Sequence, residues 1–187
     1  MNNNKIVQGS LFEEDYLVRT LGNLANSSET ALTELVANAW DAGATIVDIF
    51  IPDEYGQTLT ISDNGIGMTK DEFYSRWMKL GYNRLKHQGK KVKFPSGVDL
   101  QRQAYGRNGV GRHGMLCFND EYDVITNKDG IESKFAITTK SEKEPFLIKE
   151  ELFSKSTNIG TKLEVIVNKD LPRPENILDI ISARFFT

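Results

Sequence analysis

The sequence predicts an α/β (α+β) two-layer sandwich, a mixed and mostly antiparallel sheet covered by helices on one face. Two patterns carry this. A strongly helical segment over 28–42 is followed by two strand-like stretches, and four more such stretches run consecutively after residue 120 before a closing helix. The length of 187 residues, 39% of them hydrophobic, fits one domain with a real core.

The elements follow in order. Leu11, Phe12, Tyr16, Leu17, Leu21 and Leu24 are spaced closer to a helix than to a strand. Asn26-Ser27-Ser28 supplies capping side chains, with Glu29 in the first turn, for a helix to about Ala42 that Gly43 ends. Thr45 to Ile51 alternates as a strand, Pro52 to Gly56 turns, and Gln57 to Ser62 is the next strand. Thr69 opens a helix through Phe73, Trp77 and Leu80. Residues 81–108 show no sustained period and hold five glycines and prolines, the mark of a long functional loop. A short helix follows Gly111, then strands near 121–126, 131–139, 146–153 and 161–167, and a helix from about Glu175.

Composition narrows the function. Charged residues at 26% argue against wholesale disorder, and the single Cys117 excludes an internal disulfide or a multi-cysteine metal cage. No apolar run is long enough for a bilayer and no secretory signal opens the chain, so a cytoplasmic location is expected, with no membrane partner. The net charge of −3 hides an asymmetry: nine Lys/Arg stand against one acid between Lys79 and Arg112. Such a block suits either a solvated loop or an anion held at one place.

Three clusters could carry chemistry. Glu34, Asn38 and Asp41 fall at i, i+4 and i+7, on one helical face opposite Leu32, Leu35, Val36 and Ala39. They are either a solvated face or a general base beside an oxygen ligand for a hard cation such as Mg²⁺. Ser62-Asp63-Asn64-Gly65-Ile66-Gly67-Met68 is either a plain turn or a place where backbone nears a ligand and Asp63 accepts from a donor. Gly106-Arg107-Asn108-Gly109-Val110-Gly111 enters a helix N-terminus, which suits phosphate. The G-x-G-x-x-G at Gly109, Gly111 and Gly114 does not follow an apolar strand, and there is no P-loop. His87, His113 and Cys117 have no metal-ligand spacing; Cys117, Trp40 and Trp77 read as packing residues.

Taken in order, Glu34 to Ala42, Asp63 to Gly67, Gly106 to Gly111 and Gly160-Thr161 resemble the motifs of the gyrase, heat-shock chaperone, histidine kinase and MutL (GHKL) ATPase superfamily. The Glu-Leu-Val-Ala-Asn-Ala-Trp-Asp-Ala-Gly-Ala-Thr run is most similar to MutL and MORC-type ATPases, and Arg76 to Gly81 to bacterial chaperone-like ones. The resemblance implies a Bergerat-type fold, one ATP-binding domain over 1–187, and an ATP lid at about 81–108. It implies Mg-dependent ATP hydrolysis, with Glu34 activating water, Asn38 holding Mg²⁺ and Asp63 and Thr161 receiving the adenine amine. Gly67 and Met68 would lie along adenine, Asp41 would hold the pocket, and Gly106, Arg107, Gly109, Val110 and Gly111 would wrap the phosphates.

It further implies an ATP-dependent homodimer controlling a larger machine, of which this chain is the N-terminal part, with nucleic acid contacted through downstream domains. Members often take a γ-phosphate Lys or Arg from a following domain; Arg84, Arg107 and Arg112 are in-domain substitutes among which the sequence does not choose. Two alternatives stay open: a nucleotide-binding regulatory module with negligible turnover, and a histidine-kinase-type phosphotransfer domain.

Overall fold

The computed structural model describes residues 27–105, 111–141 and 144–185. The helix expected over 11–25, and Gly106, Arg107, Gly109 and Val110, lie outside the described residues.

Helix α1 spans Ser28–Asp41. The Ser27 hydroxyl accepts from the Thr30 N–H at 3.1 Å, satisfying one of the donors that a helix start leaves open. Its apolar stripe, including Leu32, Leu35, Val36 and Ala39, is buried. Gly43 follows in the left-handed region at φ 76°, and a Cβ there would collide with the Lys93 carbonyl.

Strands β1 (Val47–Phe50), β2 (Thr58–Asp63), β3 (Glu121–Lys128), β4 (Ile131–Thr138), β5 (Leu147–Lys155) and β6 (Gly160–Ile166) form one sheet in the order β1-β2-β6-β3-β4-β5. Every pairing is antiparallel. The β3–β4 hairpin turns on Asp129 (φ 53°) and Gly130 (φ 79°), the two positive-φ residues that a tight hairpin matching strand twist requires. Alternation fixes the faces: Leu59 and Ile61, Tyr122 and Val124, Phe135 and Ile137, Leu163 and Val165 are buried. They pack with Leu32 and Leu35 of α1 in a single core.

The remaining elements complete the helical layer. Helix α2 (Lys70–Glu72) begins with a capping box between Thr69 and Glu72 and widens into a π-turn over Phe73–Trp77. This turn sends Phe73 and Trp77 into the core. A 3₁₀ segment, Gly111–Cys117, lies against α1; in it Met115 and Cys117 are buried. The C-terminal helix over Pro174–Phe185 inserts Ile177 into the core.

One expectation needs correcting: 81–108 is not featureless. It contains a short helix, α3, at Arg84–Gln88, capped by the Asn83 side chain, and a bridge between Lys91 and Gln103. The described part lies on the C-terminal end of α1. Arg84 Nη2 donates to the Asp41 carbonyl at 3.2 Å and Arg102 Nη2 to the Ala44 carbonyl at 2.7 Å. Guanidinium groups thus meet carbonyls at the negative end of the helix, where cations are favoured.

Candidate functional site

The register of three neighbouring strands builds the floor of a cleft. Asp63 of β2 stands opposite Thr161 of β6, and Thr161 opposite Thr126 of β3. This polar row borders the apolar row of Ile61, Leu163 and Val124. Because Asp63 ends a half-buried strand, it faces the same side as the core but beyond its edge.

Asp63 accepts from the Gly65 N–H at 2.8 Å and from the Thr161 backbone. Burial outweighs those bonds and pushes its carboxyl up to about 6. Thr126 is fully buried; its hydroxyl accepts from the Met68 N–H at 2.8 Å and lies 3.2 Å from the Thr161 hydroxyl. That network fixes the Gly67-Met68 backbone above the row. Gly67 is at φ 58°, and a Cβ would collide with the Asn127 carbonyl. Only glycine fits such an approach without strain.

The cleft encloses about 130 Å³ and is lined by Asn38 and Asp41 from α1, Asp63, Gly67, Met68 and Thr161 from the floor, and Arg112 from the 3₁₀ segment. Leu35, Ile61 and Leu163 give it an apolar wall, while Arg76, Trp77, Tyr82, Arg84 and Gln88 close the opposite side. The enclosed volume is below the roughly 300–1,000 Å³ of clefts that take drug-sized ligands.

Six of the residues expected at the site therefore come together: Asn38, Asp41, Asp63, Gly67, Met68 and Thr161. Asn38 Nδ2 is buried in this wall without a hydrogen-bond partner among the described residues. The Asp41 carboxylate is engaged by the 81–105 segment, accepting from the Tyr105 N–H at 2.6 Å and lying 3.6 Å from Arg84 Nε. Glu34 is not among the lining residues. Gly111 covers it so closely that a Cβ at 111 would stand 2.7 Å from Glu34 Cβ.

The sequence reading missed Thr126 and the place of Arg76 in the cleft wall; Arg84 and Arg112, two of its three candidate phosphate cations, do line the cleft. For Thr126 a signal existed in the alternation Tyr122, Val124, Thr126, which places a hydroxyl at an inward position. The π-turn gave no such signal. No group of three or more His, Cys, Asp or Glu among the described residues could hold a metal alone. A Mg²⁺ ion would need the oxygens of a bound ligand, which is its usual habit at phosphates.

Beneath the cleft, the Trp77 indole N–H donates to the Tyr122 hydroxyl at 3.1 Å, which lies 2.9 Å from His113 Nδ1. Burial holds His113 neutral, its pKa pushed down to about 3. Burial also raises the Cys117 thiol to about 11, so neither group is set up as a base or nucleophile near neutral pH.

A helix layer over an antiparallel sheet, with this cleft between them, defines the class first. The chain shares its fold with the N-terminal domain of a DNA repair protein of known structure, at TM-score 0.53 and 20% identity, covering 92% of this chain and 44% of the other. Residues 26–164 match the family described as histidine kinase-, DNA gyrase B-, and HSP90-like ATPase, and the chain belongs to that family.

Similar curated proteins include a candidate type II restriction enzyme, HgiDII, of Herpetosiphon aurantiacus, 29% identical over 67% of this chain and 20% of that protein. The chaperone protein HtpG of Pasteurella multocida is 30% identical over 75% of this chain and 25% of its own. The mismatch repair endonuclease PMS2 of Gallus gallus is 38% identical over 53% of this chain and 10% of its own. The chain thus spans a tenth to a quarter of the length of these relatives. Family membership supports ATP binding. Among the described residues no helix is long and apolar enough to cross a membrane.

Proposed function

We propose that this chain is a single ATP-binding domain that binds ATP with Mg²⁺ in the Asp63 cleft and hydrolyses it slowly in the cytoplasm. Its nucleotide state would govern closure of the 81–108 lid and dimerisation within a larger machine. The observation that carries the reading is the half-buried, hydrogen-bonded Asp63 on the cleft floor, in a chain of this ATPase family.

In this reading Asp63 accepts from the adenine amine, and the hydroxyl pair of Thr161 and Thr126 holds the backbone of Gly67 and Met68 along the base. Leu35, Ile61 and Leu163 supply the apolar face that a purine needs. Asn38 would hold Mg²⁺ through its side-chain oxygen, leaving Nδ2 to donate to a phosphate, and Asp41 keeps the lid segment anchored through Arg84 and Tyr105. Bound Mg²⁺ would neutralise charge on the transferring phosphoryl group. Gly106, Arg107, Gly109, Val110 and Gly111 would surround the phosphates, and Glu34 would take the proton of the attacking water. Nucleic acid contacts belong to other parts of a larger protein.

The second reading, a nucleotide-binding module with negligible turnover, draws on one specific observation: Glu34 lies beneath Gly111 and outside the cleft lining. Phosphate release by the parent and by Glu34→Ala separates the two. Hydrolysis predicts loss of roughly 10²-fold or more with ATP binding retained, the scale of a lost general base. Binding without measurable release by the parent selects the module. Sedimentation with a non-hydrolysable ATP analogue reads dimerisation directly; a monomer at all concentrations removes that part of the proposal.

A further inference from the structure

Three guanidinium groups line the cleft, and they differ in what balances them. Arg76 Nη2 pairs with Glu72 at 2.8 Å, and Arg84 Nε lies 3.6 Å from Asp41. Arg112 has no carboxylate partner among the described residues. Its guanidinium donates to the Arg76 carbonyl and stands over the Tyr82 ring, 5.3 Å from the centroid. Its Nε is buried with no acceptor among the described residues. The neighbouring His113 is neutral, and the two acids in the cleft, Asp41 and Asp63, accept from other donors.

A half-buried cation whose Nε is wholly buried and which has no counter-charge is an unfavourable arrangement for a fold to keep. Burial lowers the Arg112 pKa only to about 10, so the side chain stays charged near neutral pH. Asn38 Nδ2 is the other orphan in the same cleft, and it too is a donor. Two unmet donors, one of them cationic, call for a ligand rich in acceptor oxygens and carrying negative charge. A phosphate chain has both properties; a bare nucleoside carries no charge.

We infer that Arg112 is the domain's own phosphate-binding cation, pairing with the polyphosphate of a nucleotide held on the Asp63 floor. This rests on the ATP-binding reading above and deepens it, because it names the cation that would meet the phosphates. The fold keeps an uncompensated charge without ligand and gains its partner on binding. Arg112→Met removes the charge while keeping a similar apolar volume, and Arg112→Gln retains a donor for the Arg76 carbonyl.

The test is calorimetric titration of the 187-residue chain with Mg-ATP, ADP and adenosine, alongside thermal melts without nucleotide. Arg112→Met should weaken ATP by roughly 10- to 100-fold, the scale of charge-assisted hydrogen bonds to one group, and leave adenosine within about twofold. Its ligand-free melting temperature should equal or exceed the parent's, since no unpaired charge remains buried. Arg112→Gln should lie between parent and Met in ATP affinity, and it serves alone if the Met variant does not fold.

Unchanged ATP affinity in a folded variant overturns the inference. Equal loss of ATP and adenosine overturns it too, showing Arg112 to be a wall of the cleft only. If the parent binds neither ATP nor adenosine, the underlying ATP-binding reading fails instead, so the two failures are distinct.

Discussion

Asp63 joins burial to chemistry most directly. Its carboxyl sits at about 6 against an ordinary 3.8, with burial the leading cause. The sign follows from which state holds the proton. Between about 4 and 6 the folded protein keeps a proton that the unfolded chain releases, so this group's contribution to stability declines as pH rises through that window. ATP needs the ionised acceptor, so affinity should increase as pH climbs through about 6 and flatten above it. Melts and titrations from pH 4.5 to 7.5 should show both trends, and Asp63→Asn should flatten both. A parent whose affinity is level across pH 6 would place the titrating group elsewhere. Gly67→Ala belongs to the same scale: it forces a left-handed φ on alanine and drives its Cβ into the Asn127 carbonyl. A loss of about 1–3 kcal/mol in denaturant unfolding is expected; no loss would mean that the turn relaxes freely.

Among the elements, the segment between α2 and the 3₁₀ turn is the one for which we propose a moving role. Its described part is tied to the end of α1 by Arg84, by Arg102 stacked on Trp40 at 4.1 Å, and by the Trp40 indole donating to the Gln103 carbonyl at 3.0 Å. These are polar contacts between single side chains and backbone groups, partly buried, with little apolar packing to hold them shut. Hydrogen exchange across 81–105 should slow more with a non-hydrolysable ATP analogue than with ADP, because only a differential contact shifts such an equilibrium. Equal protection by both ligands would make the segment a static cover. Gly43→Ala should speed exchange in the same region even without nucleotide, since a Cβ there meets the Lys93 carbonyl.

At the same scale the legibility of the sequence divides cleanly. The amphipathic spacing of α1 and the alternation of the strands announce the sandwich, because burial of one face leaves a period in the residue types. Helix α3, only Arg84–Gln88, is too short to show a period, and the π-turn over Phe73–Trp77 breaks one. The convergence of Arg76, Arg84 and Arg112 depends on how three separate elements pack, which no local spacing encodes.

For the whole molecule, the basic block that looks uniform along the chain resolves into different uses. Arg84 and Arg102 meet carbonyls at the end of α1, while Arg112 lines the cleft with no carboxylate partner among the described residues. Three strands, one helix and one short turn, distant in sequence, converge on Asp63, and the account stands or falls on what that residue receives. The direct measurement is calorimetric titration of Mg-ATP into the parent chain and Asp63→Ala, each shown to be folded. The parent should bind with 1:1 stoichiometry and the variant should show no binding at millimolar ATP. Equal affinity in both proteins, or a folded parent that binds no ATP at that concentration, would contradict the account.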